Sequence, residues 1–172
     1  NSRVDAEAHL EVNVNGSWER AATEVLVGSP NTQPEGQVRE LDLEWVEMPE
    51  QSARLKPGSM KGKALFLFGP LATDTNNHRR IVQSGADVVL WVDDRVAYEW
   101  PKSDAILPVW AKRHGKLPTV AVGYMPAYRW RVQGVKRVRV MVKATHAAKD
   151  SFNVVADVRG GDPKAGIVAL GC

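Results

Sequence analysis

The chain has 172 residues, 44% hydrophobic and 25% charged, with a net charge of +3 at neutral pH. That length builds one ordinary domain with a real core, the composition is that of soluble globular protein, and the charge is too small to argue for nucleic acid. No apolar run approaches a membrane span, and a single cysteine excludes an internal disulfide while leaving the compartment undecided. No signal peptide is visible at Asn1, as would hold for a trimmed mature chain. There is no internal repeat and no low-complexity segment.

Ala8 to Val14 alternates apolar and polar residues, which predicts a half-buried strand. Asn15-Gly16 is a strong turn pair, followed by Trp18-Glu19-Arg20. Thr23 to Val27 is a β-branched run stopped by Gly28-Ser29-Pro30, and Asn31 to Arg39 has a surface-loop composition. Leu41, Leu43 and Trp45 alternate with Asp42 and Glu44, predicting a strand with one acidic face. Pro49 to Gly58 reads as a connection.

Gly62 to Val92 organises the chain. Lys63 to Phe68 is a short apolar run bounded by Gly62 and Gly69-Pro70, the pattern of a buried strand. Thr73, Asp74 and Thr75 offer helix N-cap side chains, and Gly85 is placed to end a short helix in the left-handed conformation. Asp87 to Val92 is a second apolar run. Strand, helix and strand predict a βαβ unit with parallel strands and a right-handed crossover.

Asp93 to Lys116 is long for a connection inside a compact domain and reads as a functional or partly structured loop. It carries Tyr98, Trp100 and Trp110. Leu117 to Gly123 predicts a strand, and Pro126 suits the first turn of a helix ending at Gly134. Val135 to Lys143 predicts a strand with Val138, Val140 and Val142 on one side and Arg137, Arg139 and Lys143 on the other. Thr145 to Lys149 reads as a polar link. Phe152 to Val158 and Gly166 to Leu170 read as two strands joined by a Gly- and Pro-containing loop.

The residues present do not spell a catalytic site. None of the four histidines (His9, His78, His114, His146) sits at helical spacing with another or in a zinc-binding pair. Cys172 has no His or Asn partner in sequence, and no serine lies in a Gly-x-Ser-x-Gly elbow. Asp93-Asp94 could hold a cation, but a solvated strand end beside Arg95 explains it more simply. Lys136, Arg137, Arg139 and Lys143 lack interleaved aromatics, so a solvated face is a better reading than a nucleic-acid surface. Six tryptophans are many for this length. Trp91 reads as core, whereas Tyr98, Trp100 and Trp110 are the candidate contact residues.

Three stretches carry a resemblance. GKALFLFG followed by GADVVLWV is similar to the centre of a protease-associated domain. Asp150 to Cys172, DSFNVVADVRGGDPKAGIVALGC, resembles the approach to the catalytic domain of co-catalytic zinc peptidases of the aminopeptidase and plasma glutamate carboxypeptidase type. In that family the segment leads into a zinc-binding His-x-Asp, which would fall just after Cys172. AHLEVNVNGSWERA (Ala8 to Ala21) is similar to the segment preceding the inserted domain in the carboxypeptidase branch.

The resemblance implies an α/β, β-rich fold: a protease-associated (apical) domain with a mixed sheet and short helices, plus a small flanking sheet from the peptidase domain. Residues 1–20 would be an N-terminal strand segment of that peptidase domain, 21–148 the protease-associated domain, and 149–172 strands leading to the zinc-ligand motif. The implied role is non-catalytic, covering the active site of a zinc-dependent exopeptidase and shaping the access of short peptides. No metal or cofactor is expected in this chain, with two zinc ions implied for the parent enzyme. The implied partners are the remainder of the peptidase domain, short peptides and a second copy in a homodimer; neither nucleic acid nor membrane is expected, and the expected location is extracellular or periplasmic. The alternative is a free-standing peptide- or carbohydrate-binding module using Trp100 and Trp110. Ala8 to Val14 is expected to lie beside Phe152 to Val158, because an inserted domain leaves and returns at neighbouring points.

Overall fold

The computed structural model describes residues 2–25, 36–47, 49–68, 75–92, 97–101 and 117–147. These form eight strands: β1 (Ser2–Val14), β2 (Ser17–Arg20), β3 (Thr23–Val25), β4 (Arg39–Val46), β5 (Lys63–Phe68), β6 (Val88–Val92), β7 (Thr119–Val122) and β8 (Arg137–Ala147). Three helices accompany them: α1 (Pro49–Ala53), α2 (Thr75–Ser84) and α3 (Tyr124–Val132). The strands make one mixed sheet in the order β2-β1-β8-β4-β5-β6-β7-β3, so the α/β, β-rich expectation holds.

The centre is the expected βαβ unit. β5 and β6 are parallel, with Phe66 opposite Leu90, and β4 and β7 extend the parallel set on either side. All four strands therefore end at the same edge. Gly85 takes φ 75 just after α2, a left-handed stop that only glycine adopts freely. Asp87 fixes the return: one carboxylate oxygen accepts the Gly62 N–H at 3.1 Å and the other meets Arg39 at 2.7 Å.

Period-two patterning buries both faces of these strands, as parallel sheets require. Ala64, Phe66, Leu90, Val120 and Val138 point into the curl, while Leu65, Leu67, Val89 and Ala121 pack with Ile81 of α2 on the other face. The Asn15-Gly16 turn closes the β1–β2 hairpin, with φ 50 and 90. The Ala21 N–H donates to Leu10 O at 2.9 Å, drawing the β3 end of the sheet toward β1. The sheet curls around an apolar interior, and α3 plugs one mouth through Ala127 and Trp130.

Three expectations change. Pro49 to Gly58, read as a connection, contains α1. β8 runs on to Ala147 through residues read as a polar link, because β1 supplies backbone partners as far as Ser2 opposite Ala147. For the same reason β1 extends back to Ser2 and is built into the eight-stranded sheet; Phe152 to Val158 and Gly166 to Leu170 lie outside the described residues. The face of β8 divides as expected, with Val138 and Val140 buried. On its basic side Arg137 and Arg139 both meet Glu40, and Arg139 also approaches Glu11 at 3.8 Å and lies over the Trp18 ring.

Candidate functional site

The candidate site lies where the parallel strands end, the edge at which open α/β sheets place ligands. β7 ends there at Val122, Gly123 makes the turn, and α3 begins. Aromatic rings run from the core to this edge. Trp45 stacks on Phe66 at 4.4 Å, Phe66 lies 5.6 Å from Phe68, and Phe68 meets Tyr124 edge-on at 6.3 Å. Tyr124 then stacks on Tyr128, one helical turn further along α3, at 6.4 Å. The chain takes these rings from three separate elements, so only the folded sheet brings them together. The Trp45 indole N–H donates to Val135 O at 2.8 Å, which satisfies it beneath α3.

Residues 97–101 dock onto the start of α3. The Met125 N–H, one of the donors a helix N-terminus leaves open, donates to Tyr98 O at 2.9 Å. Arg129 donates two bonds to the Glu99 carboxylate, at 2.9 and 2.8 Å. On the other flank of α3, Arg131 donates to Glu47 at 2.5 and 3.2 Å. The Glu99 carboxyl is held below the usual carboxylate range, first by the hydrogen bond from Arg129 and then by its charge. Its depressed pKa ties it to stability that is present above the ordinary carboxylate range and is lost as pH falls through the lowered value. Arg129→Ala should return the Glu99 pKa upward to the ordinary range in an NMR titration. A carboxyl that titrates identically in both proteins would remove the pair from this description.

Of the predicted contact residues, the structure brings Tyr98 and Trp100 together, their rings stacked at 5.3 Å. Trp100 is 61% exposed. Trp110 lies outside the described residues, as do Asp93 and Asp94. Trp91, read as core, is buried in β6. Tyr124, Tyr128 and the Glu47 and Glu99 clamps were not singled out from sequence; the Tyr124/Tyr128 spacing was the one signal that could have found them. A shallow cleft of about 200 Å³ opens beside α3 between Arg20, Ala21, Pro126 and Gln133. Among the described residues no group of three His, Cys, Asp or Glu side chains could hold a metal ion. This arrangement can grip an apolar or aromatic group.

No family model and no curated protein matches the sequence. Solved structures do. A zinc aminopeptidase from Bacillus subtilis superposes with a TM-score of 0.57 at 14% identity, over 83% of this chain and 32% of that one. A peptidase M28 precursor from Shewanella amazonensis SB2B gives 0.54 at 11% identity, over 83% and 35%. An aminopeptidase from Aneurinibacillus sp. strain AM-1 gives 0.52 at 18% identity, over 81% and 31%. The chain thus spans about a third of the length of each. At such identities the likeness is one of fold, and the fold is that of a part of zinc aminopeptidases.

Proposed function

We propose that the chain is the non-catalytic, protease-associated (apical) part of a zinc-dependent exopeptidase, of aminopeptidase or carboxypeptidase type. It shapes the access of short peptides to an active site supplied by the rest of the polypeptide. The observation that carries this reading is the fold shared with about a third of a zinc aminopeptidase. In this reading residues 21–148 are the access-shaping unit, with 1–20 and 149–172 as its junctions to the peptidase domain. The two zinc ions belong to that domain, where they would activate the water that attacks a terminal peptide bond. Tyr98, Trp100 and Trp110 are the contact residues for substrate, and the setting is extracellular or periplasmic.

One observation favours a second reading, a free-standing peptide- or carbohydrate-binding module: Trp100 is exposed and stacked on Tyr98. The residues encoded after Cys172 decide between them. His-x-Asp directly after it supports the peptidase parent, and a stop codon overturns that parent in favour of the module.

A further inference from the structure

We propose that the layer formed by residues 54–63 and α2 is a docking surface for an acidic polysaccharide, one bearing sulfates or carboxylates. The proposal rests on the described fold alone, not on the peptidase reading. The described residues 51–68 and 75–86 carry Arg54, Lys56, Lys61, Lys63, Arg79 and Arg80 and no Asp or Glu. The fold gathers these cations on one layer. The Gly58 N–H donates to Gln83 O and the Met60 N–H to Ser84 O, both at 2.9 Å, which ties the connection before β5 to the end of α2. Leu55, Met60 and Val82 pack inward with Ile81, on the other face of the sheet from α3. At about 100° per residue, Arg79 stands on the side of α2 opposite the buried Ile81. Arg54, Lys56, Lys61 and Arg79 are all exposed.

What selects an anion is that these cations are not matched within the chain. Elsewhere arginines are: Arg39 meets Asp87, Arg129 meets Glu99, Arg131 meets Glu47, and Arg137 and Arg139 meet Glu40. On this layer Lys63 reaches Glu44 at 3.6 Å, and Arg80 is half-buried with an interaction of its own. Arg54, Lys56, Lys61 and Arg79 meet no carboxylate among the described residues. Lys61 has a structural cause besides, because its stem lies over Gly85 at the negative end of α2. Arg54, Lys56 and Arg79 have none. Fixed, unpaired cations hold a polyanion by releasing its counterions. The layer also narrows the class of polyanion. Its described residues expose no aromatic ring on which bases could stack and no large apolar side chain to enter a bilayer or form the centre of a protein interface. A hydrated, acidic polysaccharide needs none of these, since charge-assisted hydrogen bonds to its anionic groups suffice.

Isothermal titration of the 172-residue chain with heparin, a sulfated polysaccharide, tests the proposal. The expected result is saturable binding that weakens as salt rises, and that Lys56→Glu combined with Arg79→Glu weakens about tenfold or more. Lys56→Gln combined with Arg79→Gln should act in the same direction by less. Arg20→Glu combined with Lys136→Glu changes the net charge as much as the first pair, at cations outside this layer. It should leave the affinity within about twofold of wild type. Unchanged thermal melting of the variants separates loss of the surface from loss of the fold. No binding of heparin, or binding that both charge-reversed pairs weaken equally, overturns the proposal. So does tighter binding of duplex DNA, poly-glutamate or phosphatidylglycerol vesicles than of heparin, which would make the partner a nucleic acid, a protein or a membrane.

Discussion

Phe66→Ala should lower the unfolding free energy by about 3–5 kcal/mol. The ring is fully buried at the middle of β5, between β4 and β6. It stacks on Trp45 at 4.4 Å and meets Trp130 of α3 edge-on at 6.3 Å. Removing it takes away transfer free energy and leaves a cavity between the sheet and the helix. The backbone on both sides is tied into parallel ladders and cannot collapse to fill that space. Trp45 and Trp130 would lose a common neighbour, so the near-ultraviolet circular dichroism should weaken while the far-ultraviolet signal stays. Since domains are stable by about 5–15 kcal/mol, the variant would keep only a modest margin. Urea unfolding checks this, and a loss below about 1 kcal/mol would mean the aromatic rings do not hold α3 in the mouth of the sheet.

Gly123→Ala should cost about 1–3 kcal/mol and detach residues 97–101 from α3. The cause is steric. Gly123 has φ −65 and ψ 145, a conformation any residue adopts, so no backbone strain is involved. An added Cβ would press on the Glu99 carbonyl oxygen and lie 2.7 Å from its carbon and 3.0 Å from Trp100 N. Those are main-chain atoms and cannot rotate away. The segment must shift, and with it the Tyr98 carbonyl that accepts the Met125 N–H. Hydrogen exchange at Met125 should accelerate and the Trp100 emission should change. Gly134→Ala is the contrast: φ is 69 and nothing lies within 4 Å of its Cβ. Its penalty of about 1–2 kcal/mol comes from the left-handed conformation and should leave Met125 exchange unchanged. Equal effects of both variants on Met125 would contradict the close packing of Gly123 against residues 97–101.

The parts legible in the sequence are those with local causes. Gly85, the apolar run Lys63 to Phe68 and the run at Val88 to Val92 announce the βαβ unit because each constraint is written within a few residues. Asn15-Gly16 announces its hairpin for the same reason. What could not be read depends on distant partners. Thr145 to Ala147 is polar and looks like a link, yet becomes strand because Ser2 to Asp5 lies alongside it. α1 is too short for a helical period to show. At the candidate site the stacked pair Tyr98 and Trp100 stood out by composition. The exposed face of α3 did not, because Tyr128 and Val132 look like ordinary core residues until Trp130 is seen to take the inward position. The clamps Glu47–Arg131 and Glu99–Arg129 join residues 84 and 30 positions apart, a relation no local pattern carries.

The proposed role turns on whether this chain carries catalytic metal, and zinc stoichiometry with a parallel peptidase assay measures that directly. After dialysis, elemental analysis of the purified 172-residue chain should find zinc well below one ion per chain, and aminoacyl and dipeptide substrates should remain uncleaved. About one bound zinc per chain, together with hydrolysis abolished by a chelator, would contradict a non-catalytic role and place the chemistry within these residues.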